Sequence, residues 1–316
     1  MPQPATSRVA ASFAAIYLVW GSTFLAIRWA VETIPPFPMM ALRCLMGGGI
    51  LLALSRAREP ASKWPALRQW MGSGVVGTFF FVCCHGLLAR EEQFVPSGIS
   101  ALCLATIPLF VPLLAWGVLG SGRPSVRTAL ALLAAFAGVA LLVAGQGASG
   151  GLAATDAGLL LFTAFSWAAG TIASRRLPVP SAPLAAAAAP LLAGGVLLVL
   201  LSVVTGQAGD LHPSQVSARS LGGLLYLVLM GTVITFAAYM WLLDHVAPTR
   251  VATYAFVNPA VAVLIGWAIA DEHVEVATLL ATAVIIVAVA VAVTDRSAGT
   301  PRERAEAAEP VSAVVD

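Results

Sequence analysis

Apolar residues run along this chain in blocks of about twenty, each closed by a short polar or glycine- and proline-rich interruption. A hydrocarbon layer about 30 Å thick is crossed by about 20 helical residues rising 1.5 Å each. The blocks therefore predict ten membrane-spanning helices, at 9–29, 37–55, 71–89, 96–119, 126–145, 156–174, 183–204, 219–243, 247–270 and 274–294. The interruptions are Pro35-Pro36, the stretch from Arg56 to Arg68, Gly120-Ser121-Gly122-Arg123-Pro124, and Gln146 to Gly151. The first block, Val9 to Ile27, exceeds the ~7–15 apolar residues of a cleaved signal and predicts a retained helix. Residues 1–8 form a short N-terminal segment, and 295–316, rich in Glu, Ala and Arg, reads as a disordered tail.

Composition supports lipid as the solvent. Of 316 residues 59% are hydrophobic and 10% charged, against about 25% charged in a soluble domain that must cover itself with polar groups. The net charge of +2, without a Lys/Arg stripe, excludes nucleic acid as a partner. Cys44, Cys83, Cys84 and Cys103 all lie in apolar runs without metal-ligand spacing, and read as small buried apolar residues. Lys and Arg placement sets the expected orientation. With the N-terminus in the cytoplasm, thirteen of these residues fall inside and two, Arg90 and Arg219, outside, with Arg28 and Arg43 near or within spans. Both termini are then cytoplasmic, in a multi-pass protein of the inner (plasma) membrane.

The chain also repeats itself. A shift of 147 places Trp20 on Trp167, Arg28 on Arg175, Pro36 on Pro183 and Gly47-Gly48 on Gly194-Gly195. Shifts of 150 to 154 place Gly77-Thr78 on Gly231-Thr232, Pro108 on Pro259, Trp116 on Trp267 and Thr128 on Thr278. The units are 9–145 and 156–294, five spans each. Five crossings reverse the chain's direction, so the second unit is inverted relative to the first. Such repeats serve transporters, whose halves exchange conformations to expose one site to alternate sides.

Several residues could carry that function. Pro108 and Pro259 lack an N–H, so the carbonyls of Leu104 and Ala255 lose their helical partners. Both prolines are candidates for a kink or gate, or for cavity-lining backbone. Trp20, Ser22 and Thr23 in the first span, and Trp167 with Thr171 in the sixth, either pack the helices closely or line a cavity. Arg43, an ionisable residue within a span, either attracts an anionic solute or pairs with Glu32 or Glu91. His85 in the third span and Tyr239 at the matching place in the eighth are candidate contacts, and His85 also a candidate proton shuttle. Tyr254 and Asn258, four residues apart, share a helix face as candidate polar contacts. Gly47, Gly48, Gly49, Gly194 and Gly195 read as packing surface. No carboxylate stands at mid-span, which argues against a drug/proton antiporter built on one buried acid. Glu91, Glu92, Asp271 and Glu272 lie near span ends, where hydration predicts little pKa displacement. No nucleophile, metal or phosphate-loop motif appears, so neither enzymatic activity nor a cofactor or metal is expected.

Trp20-Gly21-Ser22-Thr23-Phe24, Arg43, Glu91-Glu92-Gln93-Phe94-Val95-Pro96-Ser97-Gly98, Ala105-Thr106-Ile107-Pro108-Leu109 and Tyr254-Ala255-Phe256-Val257-Asn258-Pro259 together resemble the EamA-type permeases of the drug/metabolite transporter superfamily, in the YedA-like group. The resemblance covers about residues 9–295. It implies an all-α membrane fold of ten helices in two inverted five-helix repeats. It also implies a central cavity lined by the first, third, fourth, sixth, eighth and ninth spans, and export of amino acids, other metabolites or toxic compounds. Many relatives carry Gly-Glu after the fourth and ninth spans; here Ser121 follows Gly120, and the second half alone keeps an acid, Glu272. The expected protein is a secondary exporter of a small solute, with protons as a candidate coupling ion. A facilitative channel is the alternative, and an integral-membrane enzyme a more distant one.

Overall fold

The structure is a computed structural model that describes residues 6–58, 64–145, 152–246 and 248–294. The segment from Gln146 to Gly151 and the tail 295–316 lie outside the described residues. Lipid offers the backbone no hydrogen bonds, so each span must satisfy its own N–H and C=O groups as a helix. Among the described residues nine helices are long and apolar enough to cross a bilayer. They are α1 (Thr6–Ala30), α2 (Pro36–Arg58), α3 (Leu67–Glu91), α4 (Ser97–Leu119), α5 (Val126–Ala144), α6 (Ala154–Arg176), α7 (Pro183–Val204), α8 (Ala218–Leu242) and α10 (Val276–Thr294). The tenth crossing, α9 (Tyr254–Ala270), has 17 residues and follows a separate turn, Pro248–Val251. Seventeen residues still span about 25 Å, the short end of the crossing range.

The two prolines act differently. In α4 the helix stops at Leu104 and restarts at Ile107, so Pro108 sits in the first turn of the second piece, where its missing N–H costs nothing. Pro259 lies inside a continuous α9, and the break in that crossing falls instead at Ala252–Thr253. Pro259 therefore leaves α9 unbroken, and its candidacy for a kink or gate, or for cavity-lining backbone, rests on the N–H it lacks. The far ends of α4 and α9 do match. Gly120 (φ +66°) and Asp271 (φ +51°) are left-handed caps, and the next amide of each reaches back six residues, Ser121 N to Ala115 O at 3.2 Å and Glu272 N to Gly266 O at 3.1 Å.

The two sets of five helices interlock. The first helix of each set packs mainly on the other set: α1 against α8 and α9, α6 against α3 and α4. α2 lies along α7, α5 along α10, and the first piece of α4 against α9. This exchange is what an inverted repeat requires, since each contact recurs with the sets swapped. Small residues permit the closest approach. A Cβ on Gly77 would stand 2.4 Å from the carbonyl oxygen of Pro190, and one on Gly194 would stand 3.0 Å from that of Gly77. Gly47, Gly48 and Gly195 are similarly crowded, whereas Gly49 faces open space and is no part of that packing surface. Leu130, Leu133, Leu200, Val203, Leu279 and Val287 are exposed on the perimeter, where lipid is their solvent.

Three helices widen locally into π-helix: Ala15–Val19 in α1, Thr78–Gly86 in α3 and Leu227–Ile234 in α8. A π turn displaces the regular hydrogen-bond ladder and leaves carbonyls open to other donors. The candidate site is built around these carbonyls.

Candidate functional site

Two aromatic clusters occupy equivalent places. In the first, Trp20 of α1 meets Tyr239 of α8 and Tyr254 of α9, with ring centroids 5.3 and 5.1 Å away, and the tyrosines lie 6.0 Å apart. The Trp20 indole donates to the Gly231 carbonyl, in the π segment of α8, at 3.0 Å. In the second, Trp167 of α6 lies 5.1 Å from His85 and 4.3 Å from Phe80, both of α3. His85 Nδ1 bonds the Phe80 carbonyl at 3.0 Å, and Ser166 of α6 donates to Phe79 O at 2.9 Å. Both carbonyls belong to the π segment of α3. The repeat that aligns Trp20 with Trp167 also sets Tyr239 where His85 stands, and the fold brings each indole against its third-helix partner.

Around Trp20 the remaining predicted contacts are already engaged. Ser22 Oγ donates to Val19 O at 2.9 Å and shares a 2.7 Å hydrogen bond with the Tyr226 hydroxyl. Thr23 Oγ1 donates to Trp20 O at 2.6 Å. The Asn258 side chain faces three carbonyls, so its amide nitrogen is the atom directed at them: Ile16 at 3.1 Å, Tyr17 at 3.2 Å and Tyr254 at 3.3 Å. It thereby ties α9 to the π segment of α1. Tyr17 and Thr253 hydrogen bond through their hydroxyls at the helix break.

Arg43 of α2 is buried beside this cluster, 9% exposed. The expected pairing with Glu32 or Glu91 does not form: Glu32 pairs with Arg219 at 3.5 Å and Glu91 with Arg90 at 2.7 Å. Instead Arg43 Nε donates to Thr232 Oγ1 at 3.3 Å, with a weak contact from Nη1 to Met40 Sδ at 4.0 Å. Thr232 is held by its own bond to Leu227 O at 2.8 Å, five residues back, as a π turn allows. A Cβ on Gly231 would lie 2.9 Å from Thr23 Cγ2 and 4.0 Å from Arg43 Nη2, so α1, α2 and α8 converge here. The other guanidinium N–H groups make no bond to a described residue. A buried guanidinium lacking a carboxylate is costly unless something else meets it.

At the end of the bundle where α1 and α9 finish, a polar closure joins distant segments. Arg28 Nη1 lies 3.4 Å from Glu272 Oε1 and donates to Val95 O at 3.1 Å. Glu272 Oε1 accepts from Ser97 N and Ser97 Oγ, each at 2.9 Å, and Oε2 accepts from Gly98 N at 3.3 Å. The carboxylate thus caps the first turn of α4, where open N–H groups and the helix dipole favour an anion. Glycine at 266 makes room, since a Cβ there would fall 2.4 Å from Glu272 Oε2. A cleft of about 290 Å³ opens alongside, lined by Arg28, Trp29, Glu32, Arg219 and Asp271 among others. It lies away from both aromatic clusters. At the opposite end Ser121 stands where Glu272 would be, and Arg176 donates to the Val118 carbonyl.

The acidic residues near span ends do not share one environment. Glu92 is fully buried, and neither carboxyl oxygen makes a hydrogen bond to a described residue. Burial, and then the Glu272 carboxylate, push its pKa well above the ordinary carboxylate range, against the opposing pull of Arg28 and Arg43. The expectation of hydrated span-end acids fails for Glu91 and Glu92, both buried, because α3 ends beneath other helices, not in water. Glu92, Arg28, Ser97, Ser166 and Tyr226 were not singled out as site residues from the sequence. The hydrogen-bond partners of the last four lie 67 to 204 residues away, and only the Gly-Glu departure at Ser121 hinted that Glu272 had work that Ser121 lacks.

Comparison with known proteins follows the same pattern. The EamA-like transporter family matches this chain twice, at residues 9–144 and 156–294. The uncharacterised inner membrane transporter YedA of Escherichia coli (strain K12) is 35% identical over 276 residues, 87% of each chain. The uncharacterised transporter YvbV of Bacillus subtilis (strain 168) is 24% identical over 268 residues, 84% of each chain. A crystal structure with 21% sequence identity covers 92% of this chain and 97% of its own with a TM-score of 0.62, which shows a shared fold. The doubled match falls on the two sets of helices that interlock, and the chain belongs to the EamA-like transporter family.

Proposed function

We propose that this protein is a secondary exporter of a small zwitterionic or acidic metabolite, working by alternating access in the inner membrane with both termini cytoplasmic. The observation that carries this reading is Arg43: a buried cation with donors that no described residue meets, adjoining the Trp20 cluster, in a bundle whose aromatic contacts recur with the halves exchanged. The guanidinium suits a carboxylate in a planar, two-pronged contact, and the aromatic faces suit the apolar or cationic remainder of an amino-acid-like solute. The exchange of equivalent contacts supports rocking of the two sets, which would open the region between the clusters to either side in turn. Pro108, at the broken point of α4, serves as a hinge. The orientation rests on the distribution of Lys and Arg.

The competing role for Arg43 is a tie between α2 and α8 through Thr232. Arg43→Ala, Arg43→Lys and Thr232→Val separate the two. Reconstituted protein is preloaded with unlabelled amino acids and offered the same compounds labelled. Counterflow is expected in wild type and in Thr232→Val, with loss in Arg43→Ala and partial retention in Arg43→Lys. Equal counterflow in Arg43→Ala would remove Arg43 from solute binding. Flux without counterflow would favour a facilitative channel over a carrier.

A further inference from the structure

Glu92 is the group that the reading above leaves unused. It lies just beyond α3, its carboxyl is buried, and neither oxygen makes a hydrogen bond to a described residue. A charged carboxylate in that position would be an unpaired buried ion, which proteins avoid by neutralising the group. The charged groups around it come from several elements: Arg28 from α1, Arg43 from α2 and Glu272 from the link between α9 and α10. On its own segment Arg90 and Glu91 pair with each other, and Asp156 of α6 faces Glu91. Arg28 is the shared element, since its contacts are Glu272 and the Val95 carbonyl. Val95 lies three residues beyond Glu92.

We propose that Glu92 is a proton-binding site, the coupling-ion site of the carrier, and that its charge decides whether Arg28 stays with Glu272. Protonated, Glu92 is neutral and leaves Arg28 to hold Glu272 against Ser97 and Gly98. On deprotonation the O–H bond breaks, water takes the proton when a fluctuation of the closure admits it, and the carboxylate keeps the electron pair. The new anion attracts Arg28 and repels Glu272, and both effects loosen the cap on α4. The closure therefore opens as the proton leaves. At the other end the place of Glu272 is taken by Ser121, so proton control is confined to one face of the bundle.

The transport consequence rests on the carrier reading, but the site is tested without transport. Infrared difference spectra of the purified protein near neutral pH should show the carbonyl stretch of a protonated carboxylic acid. That band should vanish in Glu92→Gln and persist in Glu272→Gln; a band untouched by Glu92→Gln overturns the proposal. The second arm keeps Glu92 native, so it does not depend on that variant folding. Ser97→Cys places a thiol under the closure while leaving the backbone donors of 97 and 98 in place. Its modification by an impermeant maleimide, divided by the rate of an unhindered thiol at the same pH, should rise about tenfold per pH unit while the carboxyl is mostly protonated, then level off. A normalised rate that stays flat from about pH 6 to about pH 8.5 would show that Glu92 does not govern Arg28. Failure of either arm leaves counterflow, and the carrier reading, standing.

Discussion

Removing the Glu272 side chain tests whether the polar closure holds the two sets of helices together. Glu272 accepts three hydrogen bonds from the first turn of α4 and lies 3.4 Å from Arg28. Hydrogen bonds to a charged group contribute about 1.5–3 kcal/mol each at most, and three on one carboxylate do not add fully. The Arg28 side chain is 34% exposed, so the ion pair is discounted for screening to about 0–1 kcal/mol. Water in the adjoining cleft recovers part of what is lost at Ser97 and Gly98. Glu272→Ala is therefore expected to destabilise by about 2–4 kcal/mol. Glu272→Gln keeps an acceptor of the same shape and should lose only about 1–2 kcal/mol, the charge-dependent share. Unfolding in mixed detergent–SDS micelles, with free energies extrapolated linearly as for other denaturants, measures both. A double-mutant cycle with Ser97→Ala should give a coupling of about 1 kcal/mol or more. If Glu272→Ala unfolds within about 0.5 kcal/mol of wild type, the size of change typical of a plain surface substitution, the carboxylate is ornamental and the closure is held by packing alone.

Gly77→Ala should destabilise by about 1–3 kcal/mol or more, because the added carbon meets the Pro190 backbone oxygen, which cannot rotate away; the same assay checks it, and unchanged stability would mean that α3 and α7 do not approach as described. Asn258→Leu keeps the volume but removes the two amide N–H groups that face three carbonyls in α1 and α9, for a loss of about 1–3 kcal/mol; a neutral result would show that the amide does not hold the helices. Stability should also depend on pH through Glu92. Its folded-state pKa is raised, so as pH rises the unfolded chain loses the proton first. Stability therefore falls from the ordinary carboxylate range up to the raised value, by at most about 1.4 kcal/mol per pH unit, and is level above it. Melting curves of wild type and Glu92→Gln across that range should diverge with rising pH, the variant being the more stable; parallel curves would contradict the burial of a neutral acid.

Much of the architecture was legible because lipid makes the rule local. A span is recognised from its own twenty residues, since every backbone group must be satisfied within it. The ten crossings, the repeat and its inversion required no knowledge of neighbours. Trp20 with Trp167, and His85 with Tyr239, could be aligned by counting, and in the structure each tryptophan meets the third-helix residue of the other half. What counting could not supply was partnership. The protein partners offered for Arg43 were Glu32 and Glu91, and it finds Thr232 instead, 189 residues away. Glu92 was expected to be hydrated because it ends a span, yet it is buried because neighbouring helices close over it. Pro259 could be named as a candidate kink, but the interruption of that crossing at Ala252–Thr253 could not be read.

Hydropathy, charge placement and internal repetition therefore determined that this chain spans a membrane ten times as two inverted halves. They could do so because solvent quality acts on each segment separately. Tertiary structure alone decided which carbonyls the π turns release, which donors take them, and which carboxylate is left without any. Those outcomes depend on helices that meet only after the chain has crossed the membrane several times, and no local pattern encodes them.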